Sequence, residues 1–144
     1  IKLLEPLKED AADMTIAVFP SAGRSRGFGF AKLAATELLM EATGRRFAEP
    51  LSGQRAVNGA LMRSLTLAEG FGLEVGLTID TNMLGKRILE VPVDLSHSPT
   101  GRGVQDMLHR ARQFGDLTQA SASRLGWRRT LASILRSLIR RFKS

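Results

Sequence analysis

Asp13-Met-Thr-Ile-Ala-Val-Phe19, closed by Pro20, is the stretch on which the fold class turns. A short apolar run with β-branched residues, bounded by a breaker, reads as a buried strand. Upstream of it, Ile1, Leu3, Leu4 and Leu7 fall on one face of a helix already in progress. The chain opens at Ile1 without an initiator methionine, so an N-terminal part is expected to be missing. Downstream, Ser21-Ala-Gly-Arg-Ser-Arg-Gly-Phe-Gly29 combines three glycines with two arginines. It suits phosphate without matching any phosphate-loop spacing, and a plain surface loop is an equal reading.

From that strand outward, helices and loops alternate. Phe30, Leu33, Ala34, Leu38 and Leu39 recur at helical spacing to about Thr43, where Gly44 supplies a stop. Ala48-Glu-Pro-Leu-Ser-Gly-Gln-Arg55 holds Pro50 and Gly53 and reads as a loop at a helix entrance, with helix expected over Ala56 to Leu67. Backbone N–H groups at such an entrance, beside Ser52 and Arg55, suit an anionic or hydroxyl-bearing ligand. Gly70 to Leu84 reads as helix with Leu73, Leu77, Asp80 and Leu84 near one face, although Val75, Thr78 and Ile79 add a competing strand signal. Lys86 to Leu95 reads as a strand, and Pro92 puts it at an edge or bulge. Ser96 to Gly103 is a polar loop, and Val104 to Ala120 a helix with Val104, Leu108, Ala111 and Leu117 inward.

The composition is that of a globular chain of one domain: 144 residues, 43% hydrophobic and 24% charged. Zero cysteines exclude disulfides, thiol catalysis and thiolate metal sites. No apolar run reaches the roughly 18 residues that a membrane span needs, and residues 1–10 lack the pattern of a signal peptide. The expected place is the cytoplasm or its membrane face.

Charge is unevenly spread. Residues 1–123 hold 14 Lys and Arg and all 14 Asp and Glu, so the whole +7 sits in the last 21 residues. There Trp127, Leu131, Ile134, Leu135, Leu138, Ile139 and Phe142 fall on one helical stripe, with arginines on the other side. A basic amphipathic helix of this kind suits an anionic membrane surface, and a helix packed on the core or a partner is the other reading. Nucleic acid is not expected as a partner, because no aromatic stacking array or DNA-reading pattern accompanies the charge.

Three stretches in order, Pro50-Leu-Ser-Gly-Gln-Arg55, Gly70-Phe-Gly-Leu-Glu-Val-Gly76, and Glu90-Val-Pro-Val-Asp-Leu-Ser-His97 followed by Thr100-Gly-Arg102, resemble the C-terminal motifs of bacterial family 2 glycosyltransferases. Their order and spacing, over residues 13 to about 120, carry the resemblance. It extends to polyprenyl-phosphate sugar synthases and glucosyl-3-phosphoglycerate synthases. The resemblance implies an α/β fold: the C-terminal part of a GT-A, Rossmann-like mixed sheet, mostly parallel, with flanking helices. Residues 1–120 would form the acceptor-side part, with the nucleotide-binding half absent, and residues 121–144 a basic amphipathic membrane-interface helix.

The resemblance also implies roles. Ser52, Gly53, Gln54 and Arg55 would face the sugar and acceptor, Arg55 binding phosphate or bracing the loop. Glu74 would be the catalytic base for a hydroxyl acceptor, or a structural hydrogen-bonding residue. His97 would add a ligand to a divalent cation, Mg or Mn, whose main ligands lie in the missing half. Ser98, followed by Pro99, stands where a basic residue is usual, which shifts the expected diphosphate contact to Arg102 or weakens it. His109 is expected to be structural. The implied partners are a nucleotide-sugar donor, a polyprenyl-phosphate or other phosphorylated acceptor, and an anionic membrane surface. The fragment alone would be inactive. The alternatives are a non-catalytic membrane-interface module and a soluble glucosyl-3-phosphoglycerate synthase-like enzyme.

Overall fold

The computed structural model describes residues 2–19, 29–68, 70, 72–93 and 104–142, leaving aside the side chains of 29, 104–113 and 140–142. The described elements follow in the order α1 (Glu5–Lys8), β1 (Met14–Val18), α2 (Gly29–Thr43), β2 (Arg55–Val57), α3 (Gly59–Ser64), α4 (Gly72–Met83), β3 (Ile88–Pro92), α5 (Val104–Leu125) and α6 (Trp127–Phe142). The three strands form one sheet in the order β2-β1-β3.

β1 is central and buried on both faces, with Met14, Thr15, Ile16 and Ala17 at 0% exposure. That is why its sequence shows no polar face. On one face Met14 meets α4 through Thr81 Oγ1, 3.8 Å from its sulfur. On the other, Thr15 donates its hydroxyl to the Leu3 carbonyl at 2.8 Å. β3 runs parallel to β1, with Met14 opposite Ile88 and Val18 opposite Pro92. Pro92, which lacks an N–H, is the last residue of a strand at the edge of the described sheet, where its chemistry is tolerated.

β2 corrects the sequence reading. Helix was expected from Ala56, but Arg55–Val57 pairs antiparallel with β1, Met14 opposite Val57 and Ile16 opposite Arg55. The helix waits for Asn58, whose side chain accepts from the Ala60 N–H at 2.9 Å and caps α3. The sheet is therefore mixed, as the resemblance implied, with β2 its antiparallel member.

α4 keeps its helix despite its β-branched residues, and those are what it buries most deeply: Val75, Thr78 and Ile79 are all at 0%. The stripe through Leu73 and Leu84 is less central, since Leu84 is half exposed. α5 crosses α4 closely at Gly72, where an added Cβ would stand 2.6 Å from the Ala120 Cβ and 2.7 Å from the Asp116 carbonyl. α2 buries Ala34, Ala35, Leu38 and Leu39 in the same core. The chain stays helical past residue 121 to Leu125, and the break falls at Gly126, whose φ of +81° favours glycine.

α6 packs on α2 and α5, and it does so with its hydroxyl side. Thr130, Ser133 and Ser137 are fully buried, whereas Trp127, Leu131, Leu135 and Ile139 are exposed. Arg129 and Arg136 both reach Glu41 on α2, at 2.9 and 2.7 Å.

Candidate active site

In a mixed sheet the ligand side is set by the carboxyl ends of the parallel strands. β1 and β3 end together at Val18 and Pro92. Because β2 is antiparallel, its first residue, Arg55, sits toward that same edge. The loop through Ser52, Gly53 and Gln54 is thus delivered to the edge at which β1 and β3 end.

Arg55 organises that loop. Its Nε donates to the Ser52 carbonyl at 2.7 Å and its Nη2 to the Pro50 carbonyl at 3.1 Å. Its Nη1 donates to Thr78 Oγ1 on α4 at 2.7 Å. The planar fork ties loop to helix, which a lysine ammonium does not reproduce. Burial pulls the guanidinium down to about 10, opposed by the nearby carboxylates of Glu74 and Glu90, so it stays charged at neutral pH. Glu90 secures the other end of the loop: its Oε1 accepts from the backbone N–H groups of Ala48 and Glu49 at 2.7 and 3.1 Å.

Glu74 stands in the first turn of α4 and faces the loop, its Oε1 3.6 Å from where a Cβ on Gly53 would lie. Burial raises its pKa, while its own backbone N–H and the Arg55 charge pull the other way. Its Oε2 is buried with no hydrogen-bond partner among the described residues, and so is Ser52 Oγ. Each such atom costs about 1–3 kcal/mol unless something bonds to it. Two of them, on a loop and a helix far apart in sequence, flank a glycine that leaves the backbone bare. An acceptor-only carboxylate and a hydroxyl here fit the O–H groups of a polyol.

Of the residues singled out in the sequence, Ser52, Gly53, Arg55 and Glu74 come together. Gln54 is exposed, and its carbonyl accepts from the Ala17 N–H at 2.9 Å, continuing the ladder. His97 and Arg102 lie outside the described residues, as does the His109 side chain. Sequence reasoning missed Thr78 and Glu90. Thr78 was legible in principle, one turn on from Glu74; Glu90 was not, because its two bonds cross from an edge strand to a turn.

Two clefts lie elsewhere, one of about 310 Å³ between the 66–68 segment and α5 and one of about 420 Å³ between the 64–66 segment, α4 and α5. Arg124 lines both, but its guanidinium is committed to Asp80 at 2.7 and 2.6 Å and to the Thr66 carbonyl at 3.1 Å. Among the described residues no group of three or more His, Cys, Asp or Glu could hold a metal ion. The described site therefore does not by itself fit a divalent cation.

No family model matches this chain, and no curated protein does. Solved structures do. Glucosyl-3-phosphoglycerate synthase from Mycobacterium tuberculosis in complex with phosphoglyceric acid is 25% identical with a TM-score of 0.60, over 84% of this chain and 43% of that one. The same enzyme in complex with Mn2+, UDP-glucose and phosphoglyceric acid is 23% identical with a TM-score of 0.58, over the same shares. With Mn2+, UDP and phosphoglyceric acid the values are 24% and 0.60, over 83% and 42%. This chain thus spans less than half the length of the solved enzyme it resembles. The three-stranded mixed sheet and its flanking helices match the C-terminal part of a GT-A glycosyltransferase.

Proposed function

We propose that this chain is the acceptor-side part of a family 2 glycosyltransferase that moves sugar from a nucleotide-sugar donor to a phosphorylated acceptor. The observation that carries the reading is the pair of buried, unpartnered oxygens, Ser52 Oγ and Glu74 Oε2, on a loop braced by Arg55. The fold supports a glycosyltransferase, and the solved relatives bind UDP-glucose, Mn2+ and phosphoglyceric acid.

In this reading Ser52 and Glu74 hold hydroxyl groups of the sugar or acceptor. Glu74, its pKa raised by burial, takes the proton when the acceptor is a hydroxyl. An acceptor that is already an ionised phosphate needs no base, and there Glu74 only orients. Arg55 fixes the loop. A divalent cation, Mg or Mn, would be held by groups outside the described residues, with His97 as one ligand and Arg102 beside the diphosphate. The activity belongs to the whole enzyme, of which this chain alone would be an inactive part. A polyprenyl-phosphate acceptor and a bacterial cell-envelope role, peripheral at the inner face of the cell membrane, complete the proposal.

The test is sugar transfer by the protein expressed from its complete reading frame, with UDP-glucose as donor and 3-phosphoglycerate or polyprenyl phosphate as acceptor. Ser52→Ala and Glu74→Gln should each lower kcat/KM about tenfold or more, the worth of a hydrogen bond to or from a charged group. Unchanged transfer in both variants would remove the site.

A further inference from the structure

An amphipathic helix docked on a soluble core ordinarily buries its apolar stripe. α6 does the reverse. Its hydroxyl face, Thr130, Ser133 and Ser137, is at 0% exposure against the body of the protein. Trp127, Leu131, Leu135 and Ile139, spaced four apart on one line, are 60%, 56%, 58% and 49% exposed. The docking is specific: Glu41 on α2 takes Arg129 on one oxygen and Arg136 on the other. Ser133 Oγ also accepts from Arg136 at 2.7 Å. The helix is held with the Trp127–Leu131–Leu135–Ile139 line outward, while Ile134 and Leu138 at the border of the stripe are half-buried.

The geometry points to an anionic lipid surface as what this stripe meets. The helix cannot span a bilayer, since no helix among the described residues is long and apolar enough. It is shaped to lie in the interface, with large apolar side chains in a row and a tryptophan at one end. Charge decides between lipid and a second copy of the chain. Residues 124–144 contain seven basic residues and no acidic one. Arg124 is spent on Asp80, and Arg129 and Arg136 share the single carboxylate of Glu41. Exposed Arg128 is an exception to the expectation that the arginines lie opposite the stripe: in helical projection it falls between Leu135 and Ile139, and the sequence continues with Arg140, Arg141 and Lys143. Two copies apposed along this face would bring like charges together with no acid on either helix to meet them. Anionic headgroups meet the same residues favourably, and long arginine side chains reach them while their stems stay on the apolar surface. This inference rests on and deepens the membrane placement in the proposed function; it uses no residue of the Ser52–Glu74 site, so vesicle binding and sugar transfer can fail separately.

Trp127 is the chain's sole tryptophan, so it reports on this face. The experiment titrates the full chain with vesicles of phosphatidylcholine alone and of phosphatidylcholine with phosphatidylglycerol, following Trp127 emission and co-flotation. The expected result is a blue shift and flotation with the anionic vesicles that weaken as salt rises. Arg128→Gln should lower vesicle affinity about fivefold. The double variant Leu131→Ser with Leu135→Ser should lower it more than about tenfold. Both substitutions fall at exposed positions, and circular dichroism checks that the fold persists. Absence of binding to phosphatidylglycerol vesicles by the parent chain would overturn the proposal. So would a Trp127 shift that follows protein concentration without vesicles, which identifies a second copy, or equal binding by the parent and a folded double variant.

Discussion

At Glu74 one carboxylate oxygen is buried without a partner, and burial lifts the pKa of the group. The sign of the stability effect follows. A carboxyl whose folded pKa is raised contributes stability that is present below its unfolded pKa and lost as pH rises through the folded value. Glu74→Gln removes that loss, so its melting temperature relative to the parent should increase from about pH 4, near the unfolded carboxyl pKa, to neutrality. A variant that gains stability while losing transfer would separate function from folding at this position; a relative melting temperature flat with pH would contradict the burial argument. Arg55 is the opposite case, with its fork engaged by two carbonyls and a hydroxyl. Arg55→Lys should destabilise by roughly 2 kcal/mol, from lost hydrogen bonds worth about 1 kcal/mol each, measurable by urea denaturation. Both residues were legible in the sequence as members of loop and helix motifs. Their opposite energetic characters were not, because burial and bonding partners come from elements distant in sequence.

At the scale of elements, the α4–α5 crossing depends on two glycines one turn apart. Gly72 faces the Ala120 Cβ and the Asp116 carbonyl, and Gly76 lies under the Arg124 guanidinium, 3.0 Å from an added Cβ to Cζ. Gly72→Ala has no soft neighbour to displace, since one contact is backbone. It should cost about 1–3 kcal/mol and open the crossing. Gly115, in α5 with nothing within 4 Å, provides the contrast. Gly115→Ala should stabilise by up to about 1 kcal/mol through helix propensity alone. Chemical denaturation of the two variants reads both effects, and equal shifts would mean that the crossing is looser than the contacts imply. Helical periodicity located both helices, but it does not distinguish a glycine demanded by close approach from one merely tolerated.

For the whole molecule, the basic C-terminal segment is less free than its composition implies. Arg124 is tied to Asp80 and α6 is tied to α2 through Glu41. Hydrogen bonding from Arg129, followed by the charges of both arginines, holds the Glu41 pKa below its usual value. Stability from a depressed carboxyl is present above the unfolded pKa and lost as pH falls through the folded one. Glu41→Gln should therefore cost about 0.5 kcal/mol at neutral pH, a small figure because both guanidiniums face solvent. The difference from the parent should vanish in acid. Melting curves of both proteins across pH test it, and a difference that persists in acid would assign the effect to packing instead.

The sequence by itself determined β1, β3, the helices α2, α4 and α5, and the helical character of the tail, because each is written in a local pattern of apolar spacing and breakers. It also singled out Ser52, Gly53, Arg55 and Glu74. Only the tertiary structure decided that Arg55–Val57 is a strand, since three residues carry no periodicity and their partner, β1, lies some 40 positions upstream. The same holds for which side of α6 is turned inward. Amphipathy fixes that a helix has two faces, but the Glu41 clamp and the close fit of Thr130, Ser133 and Ser137 choose between them. That choice is made by contacts across the chain, which no local pattern contains.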